Sequence, residues 1–431
     1  MARLLYTLLL YILTPLILIK LWLRGRKSPE YRQRWGERFG LIPRFFDNSS
    51  QRPLWIHSVS LGETVAITPL VELLLQRYPD LPIIMTTMTP TGSARVQAQF
   101  GDRVMHVYCP YDLPDTLARF HQRVNPLGCV IVETELWPNL IHSCHHRKIP
   151  VLVANARLSA RSAKGYQRFS WLTRSMLNQV SCIAAQNPVD GQRFIDLGLS
   201  QDSLKVTGSI KFDIEPPTGH EAEIGQLRDA WGADRPVLIA ASTHDNEEQQ
   251  LIGLYKQLQD QPFPENTAAP LLILVPRHPE RFVEVYNQCL RAGLKTCRRS
   301  LGELPSADTC VYLGDTMGDM MKLYSAADIA FVGGSLIERG GHNPLEPAVL
   351  GKPVLMGPHL FNFQQIADQL VEQQAMQVVA DVTELQQAIA GLLAEPSKAE
   401  QMGTAAKAYM DANRGALERL FQLIEENNQL K

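Results

Sequence analysis

The chain has 431 residues, 45% of them hydrophobic, with 42 Lys and Arg against 44 Asp and Glu. At ~150 residues per domain this is more than one domain, and the near balance of charge leaves no global field to hold a polyanion such as nucleic acid. Seven scattered cysteines without a C-x-x-C spacing indicate neither a disulfide framework nor a zinc ribbon and fit a reducing compartment.

Residues 4–19 carry no charge, and the apolar run continues past Lys20 to Leu23, which meets the ~20 residues needed to cross a bilayer. Leu21-Trp22-Leu23 runs straight into basic sequence (Arg24, Arg26, Lys27, then Arg32, Arg34 and Arg38) with no small-residue cleavage site. This predicts an uncleaved anchor over 1–27, not a signal peptide. Trp22 suits the interface, Lys20 can snorkel, and the basic flank places the rest of the chain on the cytoplasmic side. Pro15 keeps a second option open, a helix lying in the membrane surface with the basic cluster on anionic head groups.

From residue 53 to about 210, short apolar runs at 54–56, 83–85, 129–132, 151–153 and 183–185 alternate with helical stretches. Strands that are apolar throughout imply a parallel sheet covered on both faces. The predicted domain spans 28–212, and a Pro/Gly segment over 213–222 (Ile214-Glu215-Pro216-Pro217-Thr218-Gly219) reads as a linker. The alternation restarts at 237–240, 271–275, 329–332 and 353–355 and ends in helical sequence from about 383, so a second doubly wound domain is predicted over 223–431. Two such domains would face each other across a cleft at the carboxyl ends of their strands.

Several strand-to-helix turns are candidates for chemistry. His57-Ser58-Val59-Ser60-Leu61-Gly62-Glu63-Thr64 puts Glu63 at a helix N-terminus, where the dipole favours an ionised carboxylate, a general base or simply a first-turn acid. Glu133-Thr134-Glu135 follows the strongest strand, and Lys211 ends the last strand of the first domain. In the second domain Pro276-Arg277 places a guanidinium at a strand end, where it can clamp phosphate. Met317-Gly318-Asp319 lies in a turn before a helix, and Gly333-Gly334 leads to Asn343-Pro344-Leu345-Glu346. Glycine amides and a helix N-terminus there can receive an anion, with Glu346 on ribose hydroxyls; equally, this is a tight turn and a capped helix. His142, Cys144, His145 and His146 lack a carboxylate or a second half, and no metal site is expected.

Taken together, His-Ser-Val-Ser-x-Gly-Glu-Thr at 57–64, Thr-Met-Thr-Pro-Thr-Gly at 87–92, Glu-Thr-Glu-Leu-Trp-Pro-Asn at 133–139, Asn-Ala-Arg-Leu-Ser at 155–159, Pro-Arg-His-Pro-Glu-Arg at 276–281 and Gly-Gly-x5-Gly-Gly-His-Asn-Pro-Leu-Glu at 333–346 resemble the Kdo transferases. These enzymes move 3-deoxy-D-manno-oct-2-ulosonic acid (Kdo) from CMP-Kdo to lipid A precursors. The resemblance implies a GT-B fold of two Rossmann-like domains behind a membrane-anchor helix, an inner-membrane location with the body on the cytoplasmic side, and an inverting, metal-independent transfer without a cofactor. It makes 28–212 the acceptor-binding domain and 223–431 the CMP-Kdo-binding domain. It further implies Glu63 as proton acceptor, Glu133 and Lys211 as supports of the transition state, and CMP binding by Pro276, Arg277, Met317, Gly318, Asp319, Asn343, Pro344, Leu345 and Glu346. The expected partners are CMP-Kdo, a lipid A precursor (lipid IVA) and inner-membrane lipids. A UDP-sugar-dependent enzyme of the same architecture acting on a lipid is the alternative.

Overall fold

A computed structural model describes residues 2–43, 51–259 and 269–430. It divides into two compact units, Met1–Asp213 with Arg414–Lys431, and Ile214–Asn413.

The first unit is built on seven parallel strands: β1 (Leu54–His57), β2 (Ile83–Thr87), β3 (Met105–Tyr108), β4 (Gly128–Val132), β5 (Val151–Ala156), β6 (Cys182–Ala185) and β7 (Leu204–Val206), in the order β3-β2-β1-β4-β5-β6-β7. Because successive side chains leave a strand on opposite faces, Trp55 joins one layer with Ile84, Ile131, Val153 and Phe120. Leu54 and Ile56 join the other with Met85, Val130, Leu152 and Leu70. The second unit repeats the plan with β8 (Val237–Thr243), β9 (Leu271–Pro276), β10 (Thr296–Arg298), β11 (Val311–Leu313), β12 (Ile329–Val332), β13 (Val354–Met356) and β14 (Met376–Val378), ordered β10-β11-β9-β8-β12-β13-β14. Each order reverses once, at β1/β4 and at β8/β12, and the carboxyl ends of strands flanking such a reversal are where open parallel sheets bind ligands.

The helices that matter for the site are α1 (Ala2–Arg24), α2 (Leu61–Arg77), α3 (Pro138–His146), α4 (Ala160–Arg168), α5 (Ser170–Leu177), α6 (Glu247–Gln259), α7 (Met320–Ala326), α8 (Leu345–Val349) and α9 (Ala416–Asn428). The chain from 223 to 431 does not all belong to the second unit as expected. Ala416, Leu420, Phe421 and Ile424 of α9 are buried in the first unit's core with Val130, Val132 and Ala154. Two backbone amides beside and within the first turn of α9, Gly415 and Leu417, donate to Asp213 at 2.6 Å each.

Helix α1 contains an 18-residue stretch with a mean hydropathy of 2.1, yet its first half is attached to the body by polar bonds. Tyr6 Oη donates to Asp112 (2.9 Å), and Arg3 and Thr7 both donate to Asn139 Oδ1 (3.1 Å each). Tyr11 Oη donates to Asp115 (2.6 Å). These residues, three to four apart, form one stripe of the helix. Asp112 is nearly fully buried and also accepts the backbone amides of Asn139 and Leu140 at the start of α3. Another face of α1, with Leu4, Ile12 and Leu16 more than 60% exposed, is left open by the described residues. Two members of the basic cluster turn inward: Arg38 is 1% exposed beneath the Tyr108 ring, and Arg34 pairs with Glu37 at 2.7 Å. Arg26 and Arg32 stay outside, over the face of Trp22.

Candidate active site

In the first unit β1 ends at His57 and α2 starts at Leu61, and the turn between them is a capping box. Ser60 is the N-cap, accepting the Glu63 amide (3.4 Å) and donating its hydroxyl to Glu63 Oε1 (2.7 Å), while the Val59 amide donates to Glu63 Oε2 (2.7 Å). Each carboxylate oxygen accepts one bond here and keeps a free lone pair. The helix N-terminus was expected to favour the ionised form; instead burial dominates and raises the carboxyl to about 7, with Glu135 and Glu133 pushing the same way and the two capping bonds opposing. A base at that value is matched to neutral pH. The Ser-x-x-Glu spacing at 60–63 is a signal the motif reading passed over.

Glu133 directly follows β4, the other strand at the reversal, in a left-handed conformation (φ 59°). Two residues on, Glu135 accepts from the Trp137 indole (3.0 Å), and burial raises its carboxyl, with Glu133 adding to the effect. Trp137 lies edge-on to His57, ring centroids 5.0 Å apart. His57 is fully buried, holds Thr86 (2.9 Å) and is pushed by burial to about 4, so it is neutral and structural.

Lys211 does not end the last strand. It sits in a short 3-10 turn, Ile210–Phe212, beyond β7. Asn155, buried and left-handed (φ 53°), accepts the Ile210 amide on its side chain (3.3 Å) and so ties this turn to β5. Burial lowers the Lys211 ammonium, and Glu133 opposes that shift. Glu63, Glu133 and Lys211 are therefore brought to one side of the first sheet, with Glu135 among them.

In the second unit Arg277 follows β9 as anticipated, its amide donating to Thr243 at the end of β8 (2.9 Å) and its side chain exposed. Burial raises the Glu346 carboxyl, opposed by the bond that Asn343 donates to it (3.3 Å) and, less, by Arg277. Helix α8 starts at Leu345, with Pro344 in the cap position and Asn343 Oδ1 accepting the Leu345 amide (3.2 Å). Before α7, Met317 is 69% exposed and Gly318 has φ 90°, a conformation glycine adopts without cost. The Asp319 carboxylate bonds Arg299 (2.8 Å) and Thr316 (2.7 Å), and Arg299 holds it at about 2.

The Gly333-Gly334 turn is not an anion cradle. The amides of Gly334, Ser335 and Leu336 all donate to the Glu247 carboxylate at the start of α6 (2.7 to 3.2 Å). A Cβ on Gly333 would lie 2.8 Å from Glu247 Oε2 and 2.7 Å from the Ser242 carbonyl, so glycine is required for close approach. Nothing local in the sequence points to Glu247. Beside the turn, His244 and His342 stack with Nε2 atoms 2.7 Å apart, one donating and one accepting. Burial and the nearby His278 and Arg277 lower both imidazoles, and His244 also lowers His342, which falls to about 4. The amides of this turn are therefore already taken by Glu247, while the Arg277 side chain remains exposed.

Residues 33–214 match the family described as 3-deoxy-D-manno-octulosonic-acid transferase (kdotransferase), and residues 293–409 match glycosyl transferases group 1. The chain is 46% identical to the 3-deoxy-D-manno-octulosonic acid transferase of Haemophilus influenzae, over 99% of this chain and 98% of that one. It is 37% identical to the enzyme of the same name from Bordetella pertussis, over 99% of both. Among solved structures, UDP-GlcNAc 2-epimerase from Neisseria meningitidis superposes with a TM-score of 0.55 at 13% identity, covering 87% of this chain and all of that one, which shows a shared fold of two Rossmann-like domains. With end-to-end similarity above 30% to two such relatives, the chain belongs to the 3-deoxy-D-manno-octulosonic-acid transferase family and is a glycosyltransferase of the GT-B fold.

Proposed function

We propose that the enzyme transfers Kdo from CMP-Kdo to the 6'-hydroxyl of a lipid A precursor, lipid IVA, in lipopolysaccharide core biosynthesis, inverting the anomeric centre without a metal ion. The observation that carries this reading is Glu63: a carboxyl near 7 at the end of a strand flanking the sheet reversal, with Glu133, Glu135 and Lys211 around it. A free lone pair of Glu63 takes the proton of the acceptor hydroxyl as its oxygen attacks the anomeric carbon of Kdo. The bond from that carbon to the CMP phosphate breaks on the opposite side, and its electron pair leaves with the phosphate. Positive charge from Arg277 stabilises the leaving phosphate as it forms. Lys211, partly desolvated beside Glu133, supplies a fixed cation to the charge developing on the first unit. Pro276, Met317, Gly318, Asn343, Pro344, Leu345 and Glu346 complete the CMP site; Asp319, its carboxylate held by Arg299, contributes main chain.

The membrane reading follows from α1. Crossing the bilayer would strip Tyr6, Thr7 and Tyr11 of their partners on the body, and unpaired polar groups in hydrocarbon cost several kcal/mol each. Lying in the interface keeps those bonds and buries the outward apolar face. The enzyme is thus a surface-bound protein of the cytoplasmic leaflet of the inner membrane.

The test is incubation of the purified protein with a tetraacylated lipid A precursor and either CMP-Kdo or UDP-sugars, with chelator present, followed by mass spectrometry of the lipid. Increments of whole Kdo residues with CMP-Kdo alone are expected. An increment from a UDP-sugar and none from CMP-Kdo would replace the donor.

A further inference from the structure

Between α1 and the pair α4 and α5 lies a groove of about 570 Å3, within the ~300–1,000 Å3 of pre-formed ligand sites. Leu5 and Leu9 of α1 form one wall, Tyr166 of α4 and Met176 of α5 the other, and Leu136 and Pro138 the floor. The polar atoms at its edge are already used: Tyr6 Oη bonds Asp112, and Tyr166 Oη bonds the Thr134 carbonyl (3.4 Å). Such a lining offers mainly dispersion contacts.

Three further observations say what fits. Helix α4 turns Ser162, Gly165 and Tyr166 to the groove, while Arg161, Lys164 and Arg168 form its exposed side, with no acidic residue in the helix. None of these three cations has an ion-pair partner among the described residues. The floor belongs to the segment that begins at Glu133, three residues before Leu136. The α1 wall continues into the exposed apolar face of that helix, with Trp171, 49% exposed, on the other side.

We propose that this groove seats one acyl chain of the phosphorylated acceptor lipid, with the basic side of α4 placed to meet its phosphate. The proposal rests on a lipid acceptor being used at the Glu63 site. The shared segment of chain is why the occupant is the acceptor and not a bystander phospholipid: a chain lying on Leu136 and Pro138 carries its head group to Glu133 and Glu63.

Gly165 provides the test, because it lines the groove and a Cβ there meets no atom within 4 Å. For Gly165→Phe, KM for the acylated, bisphosphorylated disaccharide should rise about tenfold or more, since excluding even two methylenes is about a tenfold loss. Turnover should stay within about twofold, and kinetics with the deacylated, water-soluble disaccharide should not change. Gly165→Ala should behave as wild type. Equal effects of Gly165→Phe on both acceptors, or none on either, would overturn the proposal. A second readout needs no transfer: acceptor lipid with brominated acyl chains should quench the fluorescence of Trp171 in the wild-type protein, with Trp171→Phe as control. Quenching by brominated phosphatidylglycerol vesicles that the acceptor fails to relieve would assign the groove to bulk lipid and also overturn it. Quenching by the acceptor without any Kdo transfer would instead refute the transfer reading and leave the groove standing.

Discussion

Replacing Glu63 by Gln separates its chemical role from its structural one. Gln keeps one acceptor oxygen for the Val59 amide and turns its NH2 donor to the Ser60 oxygen, in place of the bond that hydroxyl donated, so α2 still starts at Leu61. The base is lost, and transfer should fall by ~10²–10⁴-fold, the usual contribution of a positioned proton acceptor. Stability should move the other way. The wild-type carboxyl titrates near 7 in the folded protein and near 4.5 when exposed, so the fold prefers its protonated form. That preference is fully present below 4.5 and is lost as pH rises through 7. The gap corresponds to at most about 3 kcal/mol, reduced by solvent on the open side of the group. Urea unfolding should therefore find Glu63→Gln nearly equal to wild type at pH 4.5 and more stable at pH 8, while the same preparation is inactive in the lipid mass assay. A variant that keeps its activity, or that is less stable than wild type at pH 8, would refute the reasoning.

The surroundings of Glu63 make opposing predictions for the acidic limb of kcat/KM. Glu135→Gln removes a like charge and should move that limb to lower pH, whereas Ser60→Ala removes a bond to the ionised carboxylate and should move it to higher pH. Shifts of the same sign in both variants would show that another group sets the limb. In the second unit, Glu247→Gln turns an amide donor toward the Gly334, Ser335 and Leu336 amides and should cost about 3 kcal/mol, read from the urea midpoint; a loss under about 0.5 kcal/mol would show that the turn holds without it.

The two parallel sheets were legible because β1, β4, β5, β8, β9 and β12 are buried on both faces and spell continuous apolar runs. The strands that escaped are short: Leu204–Val206, Thr296–Arg298, Val311–Leu313 and Met376–Val378 have three residues each and Met105–Tyr108 has four. With Thr296, Arg298 and Gln377 among them, they carry too little periodicity to stand out from loops. At the site, Glu133 and Arg277 could be placed because each follows its strand directly, and Glu63 because it lies in the first turn of the helix that comes after β1. Lys211 could not, since its turn is held by the bond from the Ile210 amide to Asn155, 55 residues earlier. The role of Glu247 was equally hidden, because its amide partners lie 87 to 89 residues downstream. The expectation that a helix terminus would keep Glu63 ionised failed because the dipole effect, typically 0.3–1 kcal/mol, is smaller than the desolvation of a half-buried carboxyl.

The return of α9 to the first unit has a consequence for how the protein is made. Residues 214–413 are in effect an insertion into the first unit, and the ribosome finishes all of them before it makes Leu420, Phe421 and Ile424. Until then the nascent first unit carries an uncovered apolar seam where Leu54, Val130 and Ala154 await that helix. Newly made chains are therefore most prone to capture by chaperones, and to aggregation, at the stage when the second unit is already complete.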